Sequence, residues 1–441
     1  MGQRHFPNKP TKQAAKGTTA LFSTVNIIIL IAIKLCIPGT SSLNAQTSKS
    51  EDSTHSVRNQ IVFHGFIKSD IWFDSRQVAS ARDNLFLLYP LKPAVNSQGH
   101  DLNKQPSYNI SAITSRVSAS IFPHKTLNNK IEGYVEADFS GVANQDIGGC
   151  RLRHAYIEYQ ADSNTRILFG HYWHPFFVTQ VFPSVLALNT GAPYQPFIRS
   201  PQLRYTRIIR SFQLDLAALA QMDYLSDGPL GRSHTYISNS PVPNLNIRAS
   251  YQHKNAILGG SIDFKALRPV LNGNSNGKNA VLTSLSYMLY ARHQGERLSI
   301  KGKYIFGENL SEHLLLGGYY FSYDSTTANV LEIHNTRHHF LWLNPSYALS
   351  RSMELGLFAG YARRVNYIIR EEDYVYARGN DIDHSYRLSL QLLKRMGDLM
   401  LMSEIEHSTA AYGDLVFGEG KLKNVKEVRN IRLQFSAFLF F

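Results

Sequence analysis

The chain has 441 residues and a formal charge of +13, with 24 Tyr and 24 Phe but only 7 Met. That length allows two or three soluble domains or one large barrel, and the aromatic enrichment favours strands. No run of about 18 apolar residues occurs after residue 50, which excludes a bundle of membrane helices.

Residues 1–45 read as an export signal. Arg4, Lys9, Lys12 and Lys16 form a basic start, and no acidic residue precedes Glu51. An apolar core, "LFSTVNIIILIAI", is followed by Pro38, Gly39 and the small-residue exit "SSLNA". The uninterrupted stretch Ile27–Ile33 is too short to span a bilayer. Cleavage is expected after Ala45, leaving a short polar segment, 46–59. Loss of Arg4, Lys9, Lys12, Lys16 and Lys34 lowers the charge from +13 to +8, which removes the main argument for nucleic-acid binding. Lys34 and Leu35 precede Cys36 where a lipid-attachment site wants small residues, so no lipid anchor is expected. Only Cys150 then remains, and no intramolecular disulfide can form.

From residue 60 the chain alternates. "IVFHGFIKSDIWFD" (61–74) sets Ile61, Phe63, Ile67, Ile71 and Phe73 against His64, Lys68, Asp70 and Asp74. "KIEGYVEADFS" (130–140) sets Val135, Ala137 and Phe139 against Glu132, Glu136 and Asp138. "NLNIRASYQ" (244–252) and "RLSIKGKYIF" (297–306) repeat the pattern, with Arg248, Lys301 and Lys303 on their polar faces. Period two is the signature of a strand. Short connections fall near 123–129, 161–164, 209–211, 253–255, 293–296, 350–352 and 395–398. Longer ones fall near 75–107, 141–150, 174–201, 223–242, 268–278, 307–337, 365–383 and 409–427. Fifteen connections imply sixteen strands, give or take two, because "LLLGGYYFSY" (314–323) reads equally as a strand excursion within its loop.

The last strand, "IRLQFSAFLFF" (431–441), has Ile431, Leu433, Phe435, Ala437, Leu439 and Phe441 on one apolar face. A soluble sandwich or propeller also alternates. However, its core could not take Glu132, Glu136, Asp215, Arg248, Lys301 and Lys303 without large desolvation costs. A wet lumen removes that cost, and the apolar faces then meet lipid, where only a closed barrel satisfies every backbone group. The expected fold is an all-β, transmembrane, antiparallel up-and-down barrel with both termini periplasmic. Arg is expected to be penalised at Leu433 or Leu245 and tolerated at Gln434 or Asn246.

Exported alternating strands with an aromatic carboxy-terminus resemble Gram-negative outer-membrane barrels. Within that class, "RLRHAYIEYQADSNTRILFGHYWHPF" (151–176) is similar to sixteen-stranded porins of the DcaP-like type. The resemblance implies an outer-membrane location and a passive diffusion channel for small hydrophilic solutes, and the arginines around residues 174–201 are expected to favour anions among them. It implies no catalysis and no cofactor. The implied partners are outer-membrane lipid and lipopolysaccharide, the assembly machinery that reads Phe441, and two further copies in a homotrimer. No nucleic acid is expected. An outer-membrane barrel enzyme of lipase or protease type, and a structural or adhesin barrel, stand as alternatives. The last of these would fill its lumen with paired charges.

The third long loop, 174–201, is rich in Phe and Pro and uncharged until Arg199. Apolar loop surface needs cover, so this loop is expected to fold into the barrel and set its width, the alternative being the rim or a subunit boundary. Arg116, Arg166, Arg199, Arg204, Arg248, Lys265, Lys301 and Lys303 are the candidate lumenal cations. Glu132, Glu136, Asp138, Asp215 and Asp263 are the candidate anions. No Asp or Glu occurs from Thr165 through Leu214. No metal site is expected from His154, His171 and His174, nor from His338–His339, since neighbouring strand residues face opposite ways. Ser385 beside His384 lacks the spacing of a nucleophile, base and orienting acid.

If Phe441 closes the barrel and is read during assembly, removing residues 439–441 should shrink the folded outer-membrane pool. Gel migration before and after boiling measures this, and normal assembly of the truncated chain would sink the idea.

Overall fold

The computed structural model describes residues 60–123, 130–188, 190–270, 281–324 and 329–441. The expected export signal, 1–45, and the segment 46–59 lie outside them. Seventeen strand segments hydrogen-bond into one sheet. Two of them, Ser107–Ser111 and Arg116–Phe122, lie end to end along the same neighbour, so the sheet has sixteen staves and closes.

The staves are β1 (Gln60–Asp74), β2 (Ser107–Ser111 with Arg116–Phe122), β3 (Ile131–Asp138), β4 (Arg151–Asp162), β5 (Thr165–Trp173), β6 (Arg199–Ile209), β7 (Phe212–Leu219) and β8 (Asn244–His253). They continue as β9 (Ala256–Leu267), β10 (Leu282–Gln294), β11 (Leu298–Glu308), β12 (Arg337–Ser350), β13 (Met353–Arg364), β14 (Ile382–Met396), β15 (Leu399–Leu415) and β16 (Leu422–Phe440). Each pairs antiparallel with its neighbours in sequence. Closure comes from β1 against β16, in register from Phe66↔Phe440 to Asp74↔Arg432. At the seam Gly65 exchanges backbone hydrogen bonds of 3.0 and 3.2 Å with Phe441. A Cβ on Gly65 would lie 2.6 Å from the Phe441 ring, so a glycine is what lets that ring lie there.

The break in β2 is repaired locally. Its register against β1 shifts by one residue between Ser111 and Arg116. There the Ser115 hydroxyl accepts from the Lys68 N–H (3.0 Å) and donates to the Lys68 carbonyl (3.3 Å). A side chain thus replaces the missing ladder bonds.

Alternation sorts the faces. Ile61, Phe63, Ile67, Ile71 and Phe73 of β1 are exposed on the outside, while Lys68, Asp70 and Asp74 are buried within. The short turns and both described chain ends share one end of the barrel, and the long loops share the other. At the loop end, segments Gly317–Asp324, Asn329–Asn335 and Tyr374–Arg378 make a small separate sheet, the excursion anticipated at 314–323. One expected loop is wrong: 409–427 shrinks to 416–421, because β15 and β16 keep pairing as far as Leu415↔Leu422. Their polar residues suggested a loop, but those strand ends continue beyond the apolar belt.

A second expectation also needs correction. Gln434 and Asn246 do point inward, yet they are buried and packed, Gln434 donating to Asp70 (3.0 Å) and Asn246 to Asp263 (2.9 Å). Arg at either position would displace these bonds, so tolerance is not expected there. On the outer face, Phe435 sits at the centre of the apolar run of β16, paired with Ile71 and Ser403. Phe435→Arg should destabilise the barrel by about 2–4 kcal/mol. Denaturant unfolding in lipid vesicles, with Phe435→Leu as reference, would contradict the face assignment if both variants behaved alike.

Candidate functional site

The loop between β5 and β6 turns into the barrel. Its apolar residues would be costly in water, and Phe176, Val181, Leu186, Ala192 and Tyr194 are all fully buried. A loop without ladder bonds leaves backbone carbonyls that need donors. The inner wall supplies them. Arg248 of β8 donates to the Pro175 carbonyl (3.1 Å). Lys303 of β11 donates to the carbonyls of Phe176 (2.8 Å) and Phe177 (2.9 Å), and Lys301 donates to that of Phe182 (3.3 Å). Arg387 of β14 donates to the Ala192 carbonyl (3.1 Å). In the reverse sense, the Leu186 N–H donates to Glu404 of β15 (2.8 Å) and the Ser184 N–H to Asn344 of β12 (3.0 Å). Trp342 completes the set by donating its indole N–H to Gln195 (2.9 Å). These partners run from β8 to β15, so the loop crosses the lumen and is held on the far wall.

The wall is cut back to receive it. On β13 the inward positions include Gly356, Phe358, Gly360 and Ala362. A Cβ on Gly360 would come within 2.6 Å of the Tyr194 ring, and one on Gly191 within 3.1 Å of Phe358. Phe358, Tyr194 and Trp342 belong to the largest buried apolar cluster, together with Phe176, Val178 and Val181 from the loop.

Where the loop leaves and rejoins the wall, the charges concentrate. Asp138 of β3 accepts from Arg151 (3.0 and 2.7 Å) and Arg153 (2.9 Å), and Glu136 accepts from Arg153 (2.6 Å). Arg116 lies 3.5 Å from Glu136. Asp223, in the loop after β7, pairs closely with Arg199 and lies 3.5 Å from Arg151 and 3.7 Å from Arg82. Five guanidiniums thus face three carboxylates. Burial alone would raise the Asp223 pKa, but Arg199, Arg151 and Arg82 outweigh it and hold it at about 2. Rings brace the cluster: Trp173 stacks on Phe177 at 3.7 Å, and Arg199 lies over Trp173 at 4.8 Å. A second buried group joins Arg432 to Asp74 (2.9 and 2.7 Å) and packs Lys68 against Asp70.

The lumenal candidates all sit on the inner face, but few are free. Lys301, Lys303 and Arg248 hold the loop. Arg199 is fully buried, and Arg204 donates to Gln202 (2.9 Å) and to the Trp173 carbonyl (2.6 Å). Lys265 pairs with Glu312 at 2.5 Å, and Asp263 accepts from Asn244 (3.0 Å) as well as Asn246. Asp215 is bonded by Arg248 (2.8 Å). Arg166 and Glu132 remain partly exposed near the short turns. The wet lumen invoked for these charges is therefore mostly a packed, ion-paired interior. A single chain shows which residues face inward but not what a loop will bring against them. Arg82, Asp223, Arg387, Trp342 and Gly360 were missed. The small inward residues 356, 360 and 362 were the one readable signal.

The histidines separate as alternation requires. His338 is buried inside, while His339 lies outside against the Tyr304 hydroxyl (2.8 Å). Ser385 is likewise buried inward, whereas His384 pairs with Asp383 (2.9 Å) near the rim. His174 packs against His313 with ring centroids 4.7 Å apart.

Cavities lie toward both ends of the barrel. One of about 1000 Å³ opens among the long loops, lined in part by Arg82, Asp223, Arg232 and Arg378. Toward the short turns lie two smaller ones, of about 260 Å³ beside Tyr156 and Arg204 and about 200 Å³ beside Ser184 and Lys301.

A closed sixteen-stranded barrel with an apolar outer belt and an inward third loop defines a transmembrane outer-membrane barrel of the porin type. A sequence model of the family described as DcaP outer membrane protein matches residues 40–256. The outer membrane channel DcaP of Acinetobacter baumannii superposes with a TM-score of 0.63 at 14% identity, over 88% of this chain and 98% of that one. OmpT, an outer membrane protein of Vibrio cholerae, gives 0.52 at 10% identity over 88% and 99%. The anion-selective porin from Comamonas acidovorans gives 0.51 at 9% identity over 87% and 100%. No curated protein sequence matches. Over residues 40–256 the sequence is similar to that family, and the fold is shared with these outer-membrane barrels.

Asp223→Asn would leave Arg82, Arg151 and Arg199 facing one another without their shared anion. Breaking such a buried group should cost about 3–5 kcal/mol. Because the folded-state pKa is depressed, the Asp223 contribution is present above its unfolded value of 3.8 and fades as pH falls through about 2. Unfolding curves of the wild type and variant at neutral pH and at successively lower pH should therefore converge in acid. A constant gap would remove Asp223 from the account.

Proposed function

We propose that the protein is a passive diffusion porin whose third loop sets the width of the path and whose excess of buried guanidiniums favours anions. The observation that carries this reading is the loop itself, anchored on the wall opposite its origin, with two cavities against its short-turn side. Coulomb attraction acts most strongly where the path is narrow and poorly screened, so the local surplus of arginine matters more than the total charge. No chemistry is required: Ser385 and His384 face opposite ways, which argues against a nucleophile and base there. The export signal 1–45, a periplasmic segment 46–59, recognition of Phe441 by the assembly machinery, contact with lipopolysaccharide and a homotrimer complete the proposal. A monomer by native mass measurement in mild detergent would remove the trimer alone.

A structural barrel is the second reading, and one observation favours it: most inward charges are paired, as a filled lumen would have them. Single-channel recording separates the two. Deleting residues 178–195 should raise conductance several-fold, and Gly360→Leu, which pushes Tyr194 off the wall, should move it in the same direction. Arg199→Ser with Arg204→Ser should shift the zero-current potential in a salt gradient toward cations. Unchanged conductance in the deletion would put the loop outside the path.

A further inference from the structure

We propose that the cavity between the loop and the short-turn end of β4–β8 is a subsite for an uncharged, polyhydroxylated solute of monosaccharide size. The proposal rests on the porin reading and adds a substrate class to it. The cavity has a volume of about 260 Å³, and Tyr156, Glu158, Arg166, Tyr172, Thr179 and Gln180 are among its lining residues.

Most of its charged groups are already engaged. Arg248 gives Asp215 two N–H bonds of 2.9 and 2.8 Å, while Thr206 (2.6 Å) and Gln213 (2.9 and 3.1 Å) fill the remaining lone pairs of the carboxylate. Arg166 lies 3.8 Å from Glu158. Arg204, the third guanidinium, is engaged by Gln202 and the Trp173 carbonyl. Arg166 is thus the one guanidinium of the three without a hydrogen bond to a described residue, and the Glu158 carboxylate beside it opposes a free anion.

Neutral hydrogen-bonding capacity remains. Among the described residues, the side chains of Tyr156, Tyr172, Thr179 and Gln180 form no hydrogen bond with the protein, and Glu158 has only its distant arginine. Sugar hydroxyls donate and accept at once. Glu158 and the Gln180 carbonyl accept, the Gln180 amide and Arg166 donate, and the tyrosine and threonine hydroxyls do both. The rings of Tyr156 and Tyr172 meet edge to face at 5.0 Å, which offers apolar surface for the C–H face of a sugar ring. Thr179 and Gln180 belong to the loop, so the solute would rest directly against the element that sets the width.

The test uses the full-length protein in planar bilayers, with glucose added to each side in turn. Glucose should interrupt the current in a concentration-dependent manner, and more often from the short-turn side. A polyethylene glycol of the same size should only lower it smoothly. Tyr156→Phe and Glu158→Gln, each scaled to its own open current, should raise the half-blocking concentration about tenfold. Open channels without glucose interruptions would overturn the subsite and leave the porin reading intact. Interruptions by citrate but not glucose would make it an anion site and equally overturn it. If the bilayer stays silent, the porin reading fails separately. Glucose titration of the fluorescence of Trp173, next to Tyr172, in detergent-solubilised protein then decides the subsite, and a flat titration rejects it.

Discussion

Lipid offers no hydrogen bonds, and the rest of this structure depends on that fact. A chain crossing the membrane as strands must pair every backbone group within itself, so the sheet has to close. Closure produces a lumen, and alternation fills its wall with the polar half of every strand. The same rule then applies a second time. A loop entering the lumen brings carbonyls without ladder partners, and the wall answers with Lys301, Lys303, Arg248 and Arg387. These cations stabilise the loop because each satisfies an acceptor that water reaches poorly.

In the proposed channel, width and charge are therefore coupled. A lysine that holds a carbonyl is less available to a passing ion, so the field along the path is set by the surplus left after clamping. That surplus gathers around Asp223, where Arg82, Arg151 and Arg199 converge from a long loop, β4 and β6. Tyr194 against Gly360 plays the complementary steric part, because the loop can lie close only where the wall lacks a side chain.

The similarity to solved barrels at 9–14% identity has the same origin. Strand length, alternation and the rhythm of turns and loops are constrained by the membrane, while the identity of an outward apolar residue is not. Inward residues vary with whatever the loops bring against them.

The sequence by itself determined the barrel and the face of the candidate charges, and it pointed to about sixteen staves and to an inward third loop. These follow from period two and from the cost of apolar surface in water, both local properties of the chain. The partners of those charges were decided only by the tertiary structure. Lys303 meets Phe176 and Phe177 from more than a hundred residues away, and Arg432 meets Asp74 across the closing seam. The strand pairing of 409–415 with 422–427 and the burial of Gln434 and Asn246 escaped for the same reason. Alternation reports which way a side chain points. Pairing, burial and charge surplus depend on what folding places opposite it, and no local pattern carries that information.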